Sequence, residues 1–429
     1  MKVLVVGSGG REHAIIRKLK ESKKKSLELF ACPGNGGISK DAQCIDIKAT
    51  DIEGVVSFSK KENIDLVVVA PDDPLVLGMV DALEAEGIPA FGPRAIAAII
   101  EGSKAFSKAL MKKYNIPTAG YEVFTDYDEA VAYIKSQDKY PVVIKADGLA
   151  LGKGVVIADS FEAACSAVNL MINDEMFGKS GKTVVVEEFL TGPEVSVLAF
   201  TDGKCVKPMI SSMDHKRALD DDMGLNTGGM GTVAPNPFYT SDIAKKCMDS
   251  IFIPTIEAMN KEGRQFKGCL YFGLMLTPQG PKVIEYNARF GDPETQVVLP
   301  LLRTDLLEIF MSIVNERLDE LEIEWSKQSA ACVIAASGGY PQKYQTGYEI
   351  SGLDENGQRD DCEIFHAGTK FDGAFKTSGG RVIGVTCVGD TLSDAVRSSY
   401  EAVSKISFSG MHYRNDIGKR ALSVLKGEK

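Results

Sequence analysis

Glu285, Asn287 and Arg289 stand at alternating positions and form the most informative chemical pattern in this sequence. Apolar and β-branched residues between a turn signal at 278–281 and Arg289 predict a β-strand. Side chains two residues apart on a strand share a face, so these three project together, spaced by roughly 6.7 Å per pair. The carboxylate and amide oxygens suit Mg²⁺, and the guanidinium could hold a carboxylate or phosphate through two parallel hydrogen bonds. A solvated edge strand is the alternative, and other segments must decide between the two.

A glycine-rich loop at residues 7–10 connects the first apolar run to the first helical pattern. Glycines at such a junction let backbone N–H groups approach a phosphate at the N-terminus of a helix. The loop departs from the dinucleotide-binding fingerprint, because Glu12 replaces its third glycine and residues 32–35 replace the acid that ends the second strand. For this loop alone, a phosphate site and a tight turn without ligand both stay open.

Lys145 ends an apolar strand pattern just before a glycine-rich turn at 148–154. A flexible glycine flap over a strand lysine can close over nucleotide phosphates, while the ammonium group neutralises their charge. The Walker A pattern is not met, because Gly154 follows Lys153. Taken alone, this turn and Lys104 could equally be ordinary solvated surface.

Two further segments favour a nucleotide site. Residues 184–190 run from a buried strand into a connector whose backbone could bind an adenine edge, and Glu194 could bind ribose hydroxyls. The charged cluster 214–217 precedes a glycine loop at 226–231, a combination expected around moving phosphates. The alternative is a disordered acidic loop containing residues 220–222.

The composition is that of a globular protein of about three domains. The chain has 429 residues, 44% of them hydrophobic and 25% charged. A net charge of −10 argues against nucleic acid or an anionic membrane as the main partner. Nine cysteines without a CxxC pair favour reduced thiols over a disulfide framework or a zinc site. Because no apolar run reaches transmembrane length and no signal peptide precedes the first strand, we predict a soluble, cytoplasmic protein.

Residues 1–102 alternate apolar strand patterns with helical patterns, which predicts a parallel, doubly wound sheet. The following residues have mixed order, and the final hundred residues are typical of a separate α+β module. Predicted strands lie at 3–6, 27–32, 66–70, 121–124, 142–146, 155–158, 183–187, 196–200, 273–276, 282–286, 330–336 and 382–388. Predicted helices begin at Arg11 and lie at 52–61, 75–86, 103–114, 126–136, 160–173, 242–262, 305–315 and 392–405.

Taken together and in order, the motifs resemble the phosphoribosylamine–glycine ligase family of the ATP-grasp superfamily. The combination is specific although each piece is not, and it spans nearly the whole chain. The motifs are residues 7–14, 33–37, 116–119, 145–155, 214–217, 226–231 and 285–294.

The resemblance implies an α/β fold of three parts. These are an N-terminal doubly wound parallel-sheet domain at 1–102, a two-lobed ATP-grasp α+β core at 103–326 and a small C-terminal α+β domain at 327–429. The flap lobe of the core would lie at about 120–190. We expect the turn at 148–154 to close over bound nucleotide.

The resemblance also implies ATP-dependent ligation of glycine to 5-phosphoribosylamine through a glycyl phosphate, in de novo purine biosynthesis. The products would be glycinamide ribonucleotide, ADP and phosphate. ATP would be a co-substrate with Mg²⁺ or Mn²⁺, and the partners would be small molecules only, without nucleic acid or membrane, for a monomer or small homo-oligomer. Another ATP-grasp carboxylate–amine ligase is the near alternative. A nicotinamide-dependent oxidoreductase or a nucleotide-sensing module is the distant one.

Residue roles follow from the matched motifs. Lys145, Arg217 and Arg289 would be catalytic. Residues implied to bind ATP are Lys104, Lys145, Glu187, Glu188, Phe189, Leu190, Glu194, Arg217 and Asn226. The implied metal ligands are Glu285 and Asn287, and the implied acceptor-site residues are Gly9, Gly10, Asn35, Asp214, Arg289, Gly291 and Asp292.

Two departures from the family pattern affect the site. Asp72 and Asp73 stand where the family has a Gly-Pro-Glu-type loop, which leaves the role of that acid open. The strand at 273–276 carries no second metal carboxylate, so the metal would depend on few protein ligands and on phosphate oxygens.

Overall fold

The N-terminal part of the chain is a five-stranded parallel sheet between helices. The computed structural model describes residues 1–24, 26–149, 154–174 and 182–427. The strands are β1 (Lys2–Gly7), β2 (Glu28–Pro33), β3 (Gln43–Cys44), β4 (Leu66–Val69) and β5 (Ala90–Phe91), in the order β3-β2-β1-β4-β5. The helices are α1 (Gly10–Lys20), α2 (Ile38–Asp41), α3 (Ile52–Glu62), α4 (Asp72–Val76), α5 (Met79–Ala85) and α6 (Ala95–Gly102).

The apolar runs become fully buried strands, because helices cover both faces of a parallel sheet. All four side chains of β4 are buried, as are those of residues 3–6 in β1. The prediction of a single helix at 75–86 is wrong: α4 and α5 are separated by Gly78. Its φ of 90° lies in the left-handed region that favours glycine, so it interrupts the helical pattern.

The next part is a small antiparallel lobe. Its elements are α7 (Lys104–Lys113), β6 (Tyr121–Phe124), α8 (Tyr127–Gln137), β7 (Val142–Ala146), β8 (Val155–Ala158), α9 (Phe161–Ile172) and β9 (Val184–Glu188), with the sheet order β6-β9-β7-β8. Two helices of this lobe, α8 and α9, pack on its sheet around a core of its own. The predicted flap turn at 148–154 lies outside the described residues at 150–153.

A second antiparallel sheet carries the strand that was predicted to hold the metal ligands. The elements here are β10 (Glu194–Thr201), β11 (Val206–Pro208), β12 (Met213–Asp214), β13 (Arg217–Leu219), β14 (Met223–Asn226), β15 (Gly231–Ala234), α10 (Ser241–Cys247), α11 (Ile253–Lys261), β16 (Gly268–Thr277) and β17 (Gly280–Asn287). The sheet order is β11-β10-β16-β17, and β13 pairs with β14 in a separate hairpin. A π-helical segment, Met248–Phe252, joins α10 to α11 within the helix predicted at 242–262.

The last part is an α+β unit whose sheet recruits two earlier strands. Its elements are α12 (Thr295–Val298), α13 (Leu306–Val314), β18 (Ser329–Ala336), β19 (Glu363–His366), β20 (Thr369–Phe371), β21 (Phe375–Thr377), β22 (Arg381–Gly389), α14 (Leu392–Val403) and α15 (Lys419–Leu425). Short 3-10 turns lie at Asp220–Asp222, Leu299–Leu301 and Leu318–Glu320. The sheet order β12-β15-β18-β22-β19 places two strands from the middle of the chain in this sheet.

A shared aromatic core fixes the N-terminal sheet against the second antiparallel sheet. The rings of Phe91 on β5 and Phe310 on α13 lie 4.0 Å apart between centroids, and Phe290 contacts both. Such pairs add about 0.5–1.5 kcal/mol each beyond their burial. The core that α8, α9 and the sheet of the small lobe form is separate from this aromatic core. The predicted α/β fold class is confirmed.

Candidate active site

Glu285 and Asn287 lie on β17 with their side chains partly exposed in the cleft beside the small lobe. Glu285 pairs across the sheet with Gly273, where a Cβ atom would lie 3.0 Å from Glu285 Cγ. Gly273 therefore leaves room for the carboxylate and explains why the neighbouring strand offers no second acid here. Within the described part of the chain, the side-chain amide of Asn287 forms no hydrogen bond, so its oxygen is available to a ligand.

Three lysines surround the Glu285 carboxylate. Burial would raise the pKa of Glu285, but the ammonium groups of Lys216, Lys145 and Lys104 outweigh it and hold the pKa below its usual value. Burial lowers the pKa of Lys104 although Glu285 opposes this shift. The result is an ionised carboxylate in a cationic cleft, an arrangement suited to a polyphosphate with its metal ion.

Lys104 and Lys145 are held in place by neighbours on both sides of the cleft. Lys104 Nζ donates to the Gly148 carbonyl at 2.8 Å, at the start of the predicted flap. Lys145 Nζ donates to the Ile284 carbonyl at 3.1 Å, one residue before Glu285. Lys145 is thereby brought to the strand that carries the predicted metal ligands, and Lys104 lies close enough for its charge to interact with that of Glu285.

Glu187 anchors this lysine arrangement from inside the small lobe. Its carboxylate is 4% exposed and lies 3.1 Å from Lys145 Nζ and 2.9 Å from Lys108 Nζ. Burial lowers the pKa of Lys108 to about 8, with Glu187 opposing the shift. Glu187 therefore positions Lys145. Lys108, the second partner of Glu187, was not predicted from the sequence, because the helical pattern around Lys108 is typical of ordinary surface.

The connector after β9 is more open. Glu188 is exposed, with its carboxylate 3.2 Å from the Gly120 amide nitrogen and 3.7 Å from Lys282 Nζ. Phe189 and Leu190 follow in irregular structure with partly exposed side chains. Such a segment keeps its backbone groups accessible to an adenine edge.

The charged cluster at 214–217 divides between the cleft and the β13–β14 hairpin. Lys216 Nζ lies 3.5 Å from Glu194 Oε2 and 3.6 Å from Glu285 Oε1, and it thus links the predicted ribose-binding acid to the predicted metal ligand. Arg217 instead donates to the Gly224 carbonyl of its own hairpin at 2.8 Å, opposite Asn226. The structure therefore brings Lys216 beside Glu285. From the sequence, Lys216 was noted only as a member of the cluster at 214–217.

Arg289 lies beyond the end of β17 at Asn287, so the prediction that it shares the strand with Glu285 is wrong, and two acids of the N-terminal part hold it. Its Nη2 atom lies 2.9 Å from Glu101 Oε1 and 3.9 Å from Asp72 Oδ2. Glu101 Oε2 accepts a hydrogen bond from the Ala288 amide at 2.6 Å, so one carboxylate holds both the strand end and the guanidinium. Burial raises the pKa of Glu101 although Arg289 opposes this shift. Glu101 gave no sequence signal, and Asp72, whose role was open, lies in the surroundings of Arg289.

A cavity of about 340 Å³ lies between the N-terminal loop and the C-terminal sheet. Gly9 and Asn35 line one wall and Asp292 and Arg381 line the other. Asn35 Nδ2 donates to the carbonyls of Ser8 at 2.9 Å and His366 at 2.8 Å, which fixes the two walls together. The cavity mixes backbone groups, one carboxylate and one guanidinium, as a sugar phosphate requires.

The glycines at 9, 10 and 291 allow close packing around this cavity. A Cβ atom on Gly9 would lie 3.3 Å from Asp292 Oδ2, and one on Gly10 would lie 2.6 Å from Gln296 Nε2. A Cβ atom on Gly291 would clash with the Glu294 carboxylate. These glycines therefore bring the α1 N-terminus against the loop that follows β17.

Glu12 explains why the N-terminal loop departs from the dinucleotide fingerprint. Its buried carboxylate accepts a hydrogen bond from the Gly9 amide at 2.6 Å. The α1 N-terminus thus already holds an anionic group where a pyrophosphate would bind in a dinucleotide site. This contact argues against the nicotinamide-dependent alternative.

Arg381 is the cavity cation that the sequence analysis missed. It donates to the carbonyls of Gly228 at 2.6 Å and Asp292 at 2.8 Å, and its Nη2 lies 3.4 Å from Asp292 Oδ1. No motif surrounds it, and it is 89 residues from Asp292 in sequence. It connects the glycine loop at 226–231 with the acceptor-site loop.

Asp214 is partly exposed and lies near a buried acid, Glu294. Burial first, and Glu294 second, raise the pKa of Asp214 well above its usual value, while Lys216 and Arg381 oppose the shift. Burial likewise raises the pKa of Glu294. The pair can therefore retain a proton at a pH where ordinary carboxyl groups are ionised.

No group of three or more His, Cys, Asp or Glu side chains that could hold a metal ion occurs among the residues that the structure describes. A metal ion at Glu285 would therefore need oxygens from a bound phosphate.

None of the helices in the described ranges has the length and apolar character needed to cross a membrane.

Comparison with known proteins gives matches along the whole chain. Models of phosphoribosylglycinamide synthetase match in three parts: the N domain at residues 1–101, the ATP-grasp (A) domain at 102–295 and the C domain at 330–420. A phosphoribosylamine–glycine ligase from Caldanaerobacter subterraneus subsp. tengcongensis is 49% identical, over 97% of this chain and 99% of the relative. One from Halalkalibacterium halodurans is 48% identical, over 99% and 98%. The crystal structure of phosphoribosylamine–glycine ligase from Thermotoga maritima has a TM-score of 0.82 and 34% identity, covering 97% of this chain and all of that one.

Proposed function

The chain belongs to the phosphoribosylglycinamide synthetase family, and we propose that it ligates glycine to 5-phosphoribosylamine at the expense of ATP. The products are glycinamide ribonucleotide, ADP and phosphate, in de novo purine biosynthesis. One observation carries the proposal: a single chain segment presents Glu285 to the lysine-lined cleft and, seven residues later, Asp292 to the cavity of about 340 Å³, with Arg289 held between them by Glu101. Phosphoryl donor and acceptor can therefore meet along this segment.

The chemistry requires activation of a carboxylate, because oxide is too poor a leaving group for direct amide formation. A glycine carboxylate oxygen attacks the γ-phosphorus of ATP, which gives glycyl phosphate and ADP. The amine of 5-phosphoribosylamine then attacks the acyl carbon, phosphate leaves with the bridging oxygen, and the nitrogen loses a proton. The protein contributes positioning and charge neutralisation rather than a nucleophile.

The ATP site combines the cleft and the connector. Lys104 and Lys145 bind phosphates, with Glu187 holding Lys145 in place. The backbone at 188–190 binds adenine, and Glu194 binds the ribose. Arg217 and Asn226, on the β13–β14 hairpin, reach the terminal phosphates, which requires Arg217 to leave the Gly224 carbonyl.

Glu285 and Asn287 fit a divalent ion that arrives with the nucleotide, and we propose Mg²⁺ or Mn²⁺. The carboxylate is ionised, and the amide oxygen is unpartnered among the described residues. One carboxylate among three lysines holds a bare dication poorly, so phosphate oxygens must supply further ligands. When bound, the ion neutralises charge on the phosphates.

The acceptor site extends from Arg289 into the cavity. Arg289 binds the glycine carboxylate, held for this purpose by Glu101. The cavity takes the phosphoribosyl group, whose phosphate binds the guanidinium of Arg381 in the cavity wall. The remaining residues of the proposed acceptor site are Gly9, Gly10, Asn35, Asp214, Gly291 and Asp292.

We further propose that the chain forms three domains: an N-terminal domain at 1–102, an ATP-grasp domain at 103–326 and a C-terminal domain at 327–429. The flap lobe of the ATP-grasp domain lies at about 120–190. The protein acts in the cytoplasm as a monomer or small homo-oligomer. It binds small molecules and neither nucleic acid nor membrane, in keeping with its net charge of −10.

Substrate omission tests this function. ADP formation is measured with ATP, glycine and 5-phosphoribosylamine together and with each omitted in turn. We expect ADP and glycinamide ribonucleotide only from the complete mixture. Faster turnover with another amino acid or amine would favour a different carboxylate–amine ligase, and nucleotide binding without turnover would favour a sensing module.

A further inference from the structure

Lys216 has a position that its motif neighbours do not share. Its ammonium group lies 3.5 Å from a Glu194 carboxylate oxygen and 3.6 Å from one of Glu285. These two acids have separate proposed roles, one at the ribose and one at the metal ion. Among the described residues of the cluster at 214–217, Lys216 is the only cation within 4 Å of Glu285.

The backbone around Lys216 is held by hydrogen bonds, so the fold sets the point from which its side chain extends. The Lys216 carbonyl accepts hydrogen bonds from Thr227 N at 2.8 Å and Thr227 Oγ1 at 2.9 Å. The preceding His215 is buried, accepts from the Gly418 amide at Nε2 and donates from Nδ1 to the Gly231 carbonyl. The glycine loop at 226–231 thus anchors the segment that carries Lys216.

The side chain is held less tightly than the backbone. It is 38% exposed, and both of its ion pairs are longer than direct hydrogen bonds. A lysine in this position repels a dication approaching Glu285 and attracts a polyphosphate lying between Glu285 and Glu194. Both effects come from one charge and have opposite signs.

Resting on the proposed function, we propose that Lys216 keeps bare divalent cations off Glu285 until nucleotide arrives and then binds the nucleotide phosphates. In the nucleotide-free protein its ammonium group is the counter-ion of Glu285 and Glu194. When ATP binds, the phosphates become its partner, and Glu285 becomes available to the metal ion that accompanies them. Metal therefore enters with nucleotide.

Two binding measurements test this proposal without turnover. The first is Mn²⁺ alone, titrated into nucleotide-free protein and followed by electron paramagnetic resonance of free Mn²⁺. The second is ATP binding in excess EDTA, followed by calorimetry. The variants are Lys216→Met, Lys216→Gln as a second uncharged side chain, Lys216→Arg, which keeps the charge, and Lys204→Met. Lys204 is the control because it pairs with Glu316, at 3.0 Å, instead of with cleft residues.

We expect Lys216→Met and Lys216→Gln to bind Mn²⁺ on the order of tenfold more tightly than the parent protein, and metal-free ATP on the order of tenfold more weakly. Lys216→Arg and Lys204→Met should resemble the parent in both assays. The double variant Lys216→Met/Glu285→Gln should lose the gain in Mn²⁺ affinity.

If Lys216 has a purely structural role, the uncharged variants should bind both Mn²⁺ and metal-free ATP more weakly. Unchanged or weaker Mn²⁺ binding in both uncharged variants, unchanged metal-free ATP binding, or a gain that survives in the double variant would each overturn the proposal. Failure of the parent protein to turn over glycine would instead count against the proposed function, because neither binding assay uses glycine.

Discussion

Replacing Glu101 by glutamine tests whether Arg289 is held in place for the substrate. The Glu101 carboxylate accepts from two donors, Arg289 Nη2 at 2.9 Å and the Ala288 amide at 2.6 Å. A glutamine has a single acceptor oxygen, so its NH₂ group must face one of these donors. The change also leaves the partly exposed Arg289 guanidinium without its nearest counter-charge.

The size of the effect follows from these contacts. Hydrogen bonds to charged groups contribute about 1.5–3 kcal/mol, and removal of one partner from a buried ion pair costs about 3–5 kcal/mol. Because Asp72 remains 3.9 Å from Arg289, we expect a loss of about 3 kcal/mol in the free energy of unfolding. A misplaced Arg289 should lower kcat/KM for glycine on the order of 100-fold, since small displacements of positioning groups have effects of that size.

The assay compares kcat/KM for glycine with the dissociation constant for ATP, alongside thermal unfolding. The control variant is Asp202→Asn. It removes the charge of another buried carboxylate, which accepts hydrogen bonds from the Lys204, Cys205 and Leu318 amides. We expect both variants to lose stability but only Glu101→Gln to lose glycine efficiency, with ATP binding retained. If Glu101→Gln lowers stability and leaves glycine kinetics unchanged, Glu101 is structural and our account of Arg289 is wrong.

The remaining predictions concern the metal ligand and the acid pair. Glu285→Ala should abolish ligation, with a loss on the order of 3 kcal/mol or more of transition-state stabilisation, as for removal of one key electrostatic group. Turnover near the parent rate in steady-state assays would refute the metal assignment. Because burial raises the pKa of Asp214, the folded protein should lose stability as pH rises from the ordinary carboxyl pKa of about 4 to the raised value. Asp214→Asn cannot ionise, so thermal unfolding should show it gaining stability relative to the parent between pH 5 and pH 8. A constant difference across that range would contradict the shift.

The local patterns of the site could be predicted from sequence because strand periodicity fixes them. Alternation along β17 places Glu285 and Asn287 on one face whatever the rest of the fold does. Lys145 could be predicted because it ends an apolar strand before a glycine-rich turn. The parallel N-terminal sheet followed from buried runs of residues alternating with helical patterns.

Residues that act through distant contacts could not be predicted. Glu101 reaches Ala288 across 187 residues, and Arg381 reaches Asp292 across 89. Nothing in their local sequence distinguishes them from surface charges. The recruitment of β12 and β15 into the C-terminal sheet was hidden for another reason: strands of two and four residues are too short to show a period.

Phosphoryl transfer to the glycine carboxylate is the central claim of this account, and an isotope measurement tests it most directly. Glycine labelled with ¹⁸O in both carboxylate oxygens is ligated with unlabelled ATP, and the inorganic phosphate formed is analysed by mass spectrometry. We predict one ¹⁸O atom in each phosphate, because the bridging oxygen of glycyl phosphate leaves with phosphorus. Unlabelled phosphate from a mixture that forms glycinamide ribonucleotide would contradict the account.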